Sequence, residues 1–187
     1  SLTNAQKILV VLPQKLTYDK VAAALGCYLS LKKAAKQVMI LCSQPMTVEH
    51  SHLVGVNKIV RKLKGRNLIV SFDYVEDAIE KVSYNIEKGR FNLLIQPKKD
   101  KPPLQAKKVR FSYSGGQADL VIVIGAASLD ELGELYQRDK QLFEQDKVIN
   151  LDINGQNSRF GKINLLQPQA ASYSEIVVEL LYRLKLP

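Results

Sequence analysis

The segment from Lys7 to Ser43 constrains the fold most. It opens with "KILVVL" (Lys7–Leu12), an unbroken apolar run of the kind that forms a strand buried on both faces. Val21, Ala24, Leu25, Tyr28, Leu29 and Leu31 then recur near helical spacing. Thr17 stands where that helix needs a cap, and Lys32, Lys33 and Lys36 crowd its last turns, where the helix dipole favours cations. "QVMILCS" (Gln37–Ser43) reads as a second strand. Two strands joined through a helix of this length run parallel, with a right-handed crossover. In such sheets ligands bind outside the carboxyl ends of the strands.

The rest of the chain extends this pattern and once departs from it. "VNKIVRKLK" predicts a helix with Val56, Ile59, Val60 and Leu63 on one face and Lys58, Arg61, Lys62 and Lys64 on the other, stopped by Gly65. "RNLIVSF" (Arg66–Phe72) reads as a third strand, and "YVEDAIEKVSYNIEKG" (Tyr74–Gly89) as a helix ending at glycine. Residues 90–116 differ in character. "RFNLLIQ" and "KVRFSYSGG" flank a proline-bearing polar loop, which predicts an inserted β-hairpin, with Gly115-Gly116 as a turn. "ADLVIVIG" (Ala118–Gly125) and "KVINLDI" (Lys147–Ile153) return to the buried-strand type. Between them "SLDELGELYQ" predicts a helix capped by Ser128, with Glu131 completing a capping box. "GKINLLQ" reads as a short strand, and a closing helix carries Ile176, Val177, Leu180, Leu181 and Leu184 as its stripe. The expected fold is therefore α/β: a mostly parallel twisted sheet flanked by helices, in one domain over residues 1–187 with the hairpin inserted at 90–116.

Composition narrows the function classes. Of 187 residues 46% are hydrophobic, enough for a sizeable core. No apolar run is long enough for a membrane helix, and the start carries no secretory pattern. Cys27 and Cys42 read as small buried hydrophobes, too few for a thiolate zinc site and in keeping with a reducing, cytoplasmic compartment. The net charge of +9 favours anionic partners, although a basic surface is also simply a soluble one. Lys98, Lys99, Lys101, Lys107, Lys108 and Arg110 form a basic stretch interleaved with Phe91, Phe111 and Tyr113. Two readings stand: an RNA-stacking surface, or packed aromatics on an edge strand that lysines keep from aggregating. A third use of the hairpin is to bind a protein partner or another copy of the chain.

Three strand ends are expected to converge: Pro13–Asp19, Gly125–Ser128 and Asp152–Asn157. They offer two carboxylates, Asp19 and Asp152, beside the neutral Asn154 and Asn157. Two such ligands suit at most a weakly held Mg²⁺ with waters, not a two-metal cluster. The histidines, His50 and His52, stand in "VEHSHLVG", away from these ends, and no base is placed to activate a nucleophile. Neither a Gly-x-Gly-x-x-Gly nor a phosphate-loop motif occurs.

In this frame the chain resembles the N-terminal domain of the DHH-family phosphoesterases, the group of nanoRNase/phosphoadenosine-phosphate phosphatases and RecJ-like exonucleases. The resemblance covers residues 5–60 and 118–184. That family's first motif is a strand followed by His-x-x-x-Asp-x-Asp. Here Pro13 stands at the His, Thr17 at the first Asp, and only Asp19 matches. Gly125 stands where the family carries its bridging Asp. In "LDINGQN" Asp152 is kept, Ile153 and Asn154 replace both signature histidines, and Asn157 matches a later Asn. The resemblance implies a Rossmann-like DHH-type fold whose metal motifs are degenerate, with Asp19 the one residue left to hold Mg²⁺ or Mn²⁺ and no cofactor expected.

The function so implied is a catalytically inactive binding or assembly module for a nucleotide or RNA. Its cleft would be lined by Lys15, Thr17, Asp19, Ser128, Asp152, Asn154 and Asn157, with Lys15 as the cation and the helix starts near Thr17 and Ser128 facing an anion. The alternatives are an active metal-dependent phosphoesterase on nucleotides or short RNA, and a flavodoxin-like domain that binds a small molecule.

Overall fold

The computed structural model describes every residue except 1, 3, 64, 66, 115, 116, 145 and 146; the side chains of 112–114 and 144 also lie outside the described set. The expectations placed on Lys64, Arg66, Gly115, Gly116 and the Tyr113 ring fall there. The chain forms two compact units, one of Ser1–Arg66 with Ser114–Pro187, the other of Asn67–Tyr113.

In the first unit, β1 (Lys7–Leu12), α1 (Tyr18–Lys33) and β2 (Gln37–Cys42) form the expected parallel crossover. Thr17 Oγ1 accepts the Lys20 backbone N–H at 3.3 Å, which starts α1 as its sequence predicts. After β2, however, the expected helix over residues 56–63 is absent. Gly55 turns at φ +88°, Val56–Lys58 form one 3₁₀ turn, and β3 (Ile59–Val60) joins the sheet edge beside Ile40 and Leu41. The β-branched residues at 56, 59 and 60 suit an extended chain better than a helix.

The second unit holds β4 (Asn67–Ser71), β5 (Ile79–Glu87), β6 (Arg90–Pro97) and β7 (Arg110–Ser114). Here the sequence reading fails twice. Residues 79–87 form a strand, because Val82, Tyr84 and Ile86 alternate with Ser83, Asn85 and Glu87 at period two. And β6 pairs antiparallel with β5, while β7 pairs with β4, so "RFNLLIQ" and "KVRFSYSGG" are not each other's partners. The turn explains the pairing. Lys88 and Gly89 link β5 to β6 with φ of 51° and 75°, the two positive values that a tight type I′ hairpin demands. Likewise β4 lies outside the parallel sheet.

The chain then returns to the first unit with β8 (Leu120–Ile124), α2 (Glu134–Arg138), α3 (Gln141–Glu144), β9 (Val148–Asp152), β10 (Ile163–Leu166) and α4 (Tyr173–Arg183). The helix expected from "SLDELGELYQ" is broken in two. Leu129–Leu132 make a 3₁₀ turn, Gly133 swings out at φ 60°, ψ −130°, and α2 follows. That backbone conformation is one that side chains rarely adopt, which is why a glycine stands there, and the end of the Gln14 side chain fills the space beside it. Ser128 makes no side-chain cap bond.

The sheet has six strands in the order β10-β9-β8-β1-β2-β3, with every neighbouring pair parallel. The order runs outward in opposite directions from β1 and β8, as in doubly wound dinucleotide folds; the flavodoxin alternative has another strand order. The switch point therefore lies between β1 and β8. Ile8, Val10 and Leu12 face one core layer, shared with α1 and α4; Leu9 and Val11 face the other, shared with Leu132, Leu135 and Phe143. Both cysteines are buried and unpaired, and burial pushes the Cys27 thiol up to about 12. Leu29 is the member of the α1 stripe left exposed. No helix of the described residues is long and apolar enough to cross a membrane.

Ile122 sits at the centre of β8 with no exposed surface. Ile122→Ala is expected to cost about 2–5 kcal/mol, read as a lower urea midpoint with an unchanged slope.

Candidate functional site: a cleft at the switch point

The ends of β1, β8 and β9 do converge. They border a cleft of about 420 Å³ lined by Gln14, Lys15, Thr17 and Lys20 from the first crossover, Gly125, Ala127 and Glu131 beyond β8, Asp152 and Asn154 beyond β9, and Tyr173 at the start of α4. Of the residues expected there, Lys15, Thr17, Asp152 and Asn154 line it. Asp19, Ser128 and Asn157 do not.

Asp19 is turned away to another task. Its Oδ2 accepts the Tyr173 backbone N–H at 2.6 Å, and its Oδ1 accepts the Ser174 N–H at 3.2 Å and the Ser174 hydroxyl at 2.5 Å. The carboxylate thus satisfies the open N–H groups at the first turn of α4 and complements the positive end of that helix. Ser172 adds the ordinary N-cap bond to Glu175 N.

Asp152 is also occupied. It is almost fully buried; Asn154 N donates to Oδ1 at 3.1 Å and Asn157 Nδ2 to Oδ2 at 2.7 Å. The Tyr173 hydroxyl donates to the same carboxylate. Asn157 is a loop clamp: Nδ2 also donates to Ala126 O, and Oδ1 accepts from Asn150 Nδ2 and Arg159 N. Asn154 uses its Oδ1 on Gln156 N, an Asx turn. Ser128 adds its backbone oxygen to the Glu131 turn. Glu131 reaches back past Ser128 to Ala127 N at 3.2 Å, so neither bond of the capping box the sequence suggested is formed.

The residue that sequence reasoning missed is Lys20. It is buried, and its Nζ donates to Lys15 O at 3.3 Å and sits 5.4 Å from the centre of the Tyr173 ring. Its stem lies across Gly125: a Cβ there would meet Lys20 Cε at 2.7 Å and Cδ at 2.9 Å, and φ is +74°. Burial lowers the Lys20 pKa, the nearby Glu131 and Asp152 pull it back up, and Lys15 pushes it down. Tyr173 responds in the opposite sense. Burial, the Asp152 charge and the hydrogen bond to Asp152 push its phenol up to about 12.

A two-metal centre does not fit these residues. Asp19 and Asp152 spend their oxygens on N–H and O–H donors, and the Lys20 ammonium shares the cleft with Asp152. Among the described residues no three His, Cys, Asp or Glu side chains come together as a metal-holding set. His50 is buried elsewhere, bonded to Thr47 and stacked on Tyr18, while His52 is exposed.

The basic stretch lies in the second unit. Four of its six cations have carboxylate neighbours: Lys98 with Asp77 at 2.6 Å, Lys101 with Asp100 at 3.9 Å, and Lys108 and Arg110 with Asp73 at 3.6 and 3.7 Å. Lys99 and Lys107 are exposed beside them.

No family model matches the chain, and no curated protein matches it. Among solved structures it is similar to an exopolyphosphatase-related protein from Bacteroides fragilis, with a TM-score of 0.63 at 16% identity. The match covers 97% of this chain and 41% of that one, so the chain spans well under half of its neighbour's length. At that identity the likeness is one of fold.

Two outcomes are expected from this geometry. Asp19→Ala is expected to lower stability by about 1–3 kcal/mol, measured by thermal melting, because three donors on α4 lose their acceptor. The folded chain also holds the Tyr173 proton more tightly than the unfolded chain, so stability falls as pH rises from 10 toward 12. Tyr173→Phe is expected to remove that part of the slope, read from urea midpoints across the range.

Proposed function

We propose that the chain is a catalytically inactive DHH phosphoesterase-like domain that acts as a binding module, its switch-point cleft receiving the phosphate end of a nucleotide or a short RNA. The observation that carries this reading is the Lys20 ammonium, set in the cleft beside Asp152 and Tyr173 while Asp19 caps α4. In a metal-dependent phosphoesterase, dications neutralise the phosphate and activate water. Here a lysine supplies fixed positive charge and no activated water. Lys15, exposed at the rim, adds a second ammonium, while Thr17 and Gln14 supply neutral polar groups. The fold neighbour, described as exopolyphosphatase-related, is consistent with a phosphate-handling ancestry for this cleft.

An ammonium beside two carboxylates can also meet a phosphate, because Lys20 is drawn toward Asp152 and Glu131 by charge alone and retains N–H donors for a ligand. Binding is then expected without added metal and to weaken as salt rises.

The test is calorimetric titration of the chain with adenosine monophosphate and with a 5′-phosphorylated dinucleotide, in chelator and in manganese. Equal binding in both is expected, together with no release of product from the dinucleotide. Lys15→Ala is expected to weaken binding roughly tenfold, with Lys99→Ala as an unaffected control. Manganese-dependent turnover would overturn the reading, and so would the absence of binding to either nucleotide.

A further inference from the structure

The charges that line the switch-point cleft balance. Lys15 and Lys20 bring two ammoniums, Asp152 and Glu131 two carboxylates. Such a cleft gains little from a bare polyanion, because each phosphate drawn to the lysines also meets a carboxylate. A ligand that suits it brings hydrogen-bond donors together with its negative charge.

The two carboxylates are not equally open to donors. Asp152 is 1% exposed and already receives Asn154 N, Asn157 Nδ2 and the Tyr173 hydroxyl. Glu131 is exposed on the cleft wall. Among the described residues its Oε2 takes the Ala127 N–H at 3.2 Å and its Oε1 takes none. The backbone fixes where this carboxylate stands. Glu131 N donates to Ser128 O at 3.3 Å, and Glu131 O accepts Gln14 N at 2.8 Å, which ties the loop after β8 to the loop after β1. Its charge also reaches the lysine: burial lowers the Lys20 pKa, and Glu131 is first among the charges that pull it back up. The cleft therefore holds a preorganised acceptor near its ammonium, with one oxygen to spare.

We propose that Glu131 receives the ribose hydroxyls of the ligand whose phosphate the lysines hold, so that the cleft selects a ribose 5′-phosphate group over polyphosphate and over sugars without those hydroxyls. The assignment rests on the phosphate reading of the same cleft and names the part of the ligand that this reading leaves open. A vicinal pair of hydroxyls offers O–H donors to one carboxylate, and bonds to an ionised acceptor are about twice as strong as neutral ones. Polyphosphate carries no such donors and meets Glu131 only as repulsion. Amino groups on the bases are donors too, but they lie beyond the sugar from the phosphate and differ from base to base, whereas the ribose is common to all. The 2′-hydroxyl is also the group by which a protein tells RNA from DNA.

Calorimetric titration of the 187-residue chain in chelator tests this, with adenosine monophosphate, ribose 5-phosphate, 2′,3′-dideoxyadenosine monophosphate and tripolyphosphate as probes. Adenosine monophosphate and ribose 5-phosphate are expected to bind. The dideoxy compound is expected to bind at least roughly tenfold more weakly than adenosine monophosphate, and tripolyphosphate more weakly as well. Glu131→Gln keeps an oxygen for the Ala127 N–H. In that variant the preference for the hydroxyls is expected to shrink to about threefold, while tripolyphosphate gains affinity; Lys99→Ala is expected to change neither. Thermal melting checks that the variant folds, and should it not, the probe series on the unaltered chain decides. Equal binding of adenosine monophosphate and its dideoxy form overturns this assignment and leaves the phosphate reading standing. So does tripolyphosphate that binds as tightly as adenosine monophosphate, or a hydroxyl preference that survives Glu131→Gln undiminished. Adenosine monophosphate that binds where ribose 5-phosphate does not would place the donor on the base and overturn it too. Binding of no probe overturns the phosphate reading, and this assignment with it.

Discussion

One carboxylate ties the first unit together. Asp19, on the first turn of α1, receives three hydrogen bonds from the first turn of α4, and the two helices pack side by side on the same sheet face. The contact joins residues 154 positions apart in the chain. It also fixes where Tyr173 stands, and hence the far wall of the cleft. Lys20 follows Asp19 on the same turn, so anchoring one side chain outward sets the other inward. The cleft's charge is in this sense a consequence of a helix cap.

The second dependence is electrostatic. Asp152 is almost wholly buried, a state that is costly unless donors surround the charge. Asn154, Asn157 and Tyr173 provide those donors, and Lys20 adds a compensating charge nearby. The asparagine clamp then locks the loop after β9 to the loop after β8 through Ala126. The two loops are held in register by Asn157, at the place where the DHH-family resemblance keeps an asparagine.

The parts of the fold that the sequence announced are those governed by local pattern. The β1–α1–β2 crossover follows from two apolar runs, a threonine cap and a lysine-rich helix end, all within neighbouring residues. The stretch at 74–89 was misread because its charged residues resemble a solvated helix. The signal that decides it is the alternation of Val82, Tyr84 and Ile86 followed by Lys-Gly, a turn pair that outweighs helix propensity. Within the cleft, Lys15 and Thr17 were legible from their place after a strand. Lys20 was not, since its lysine lies among the apolar positions of a helix and its meaning depends on Gly125, a residue more than a hundred positions away. The diversion of Asp19 was hidden for the same reason. A side chain's identity is local, whereas the donor it meets is set by the packing of the whole sheet.

The lysine stem laid over Gly125 also limits how this chain can change. An acid introduced at 125 would enter a left-handed backbone position and collide with methylenes already there. Shortening position 20 alone would leave Asp152 without its nearby positive charge. Shortening position 20 would clear the space beside residue 125 but would not relieve the strain of its left-handed backbone.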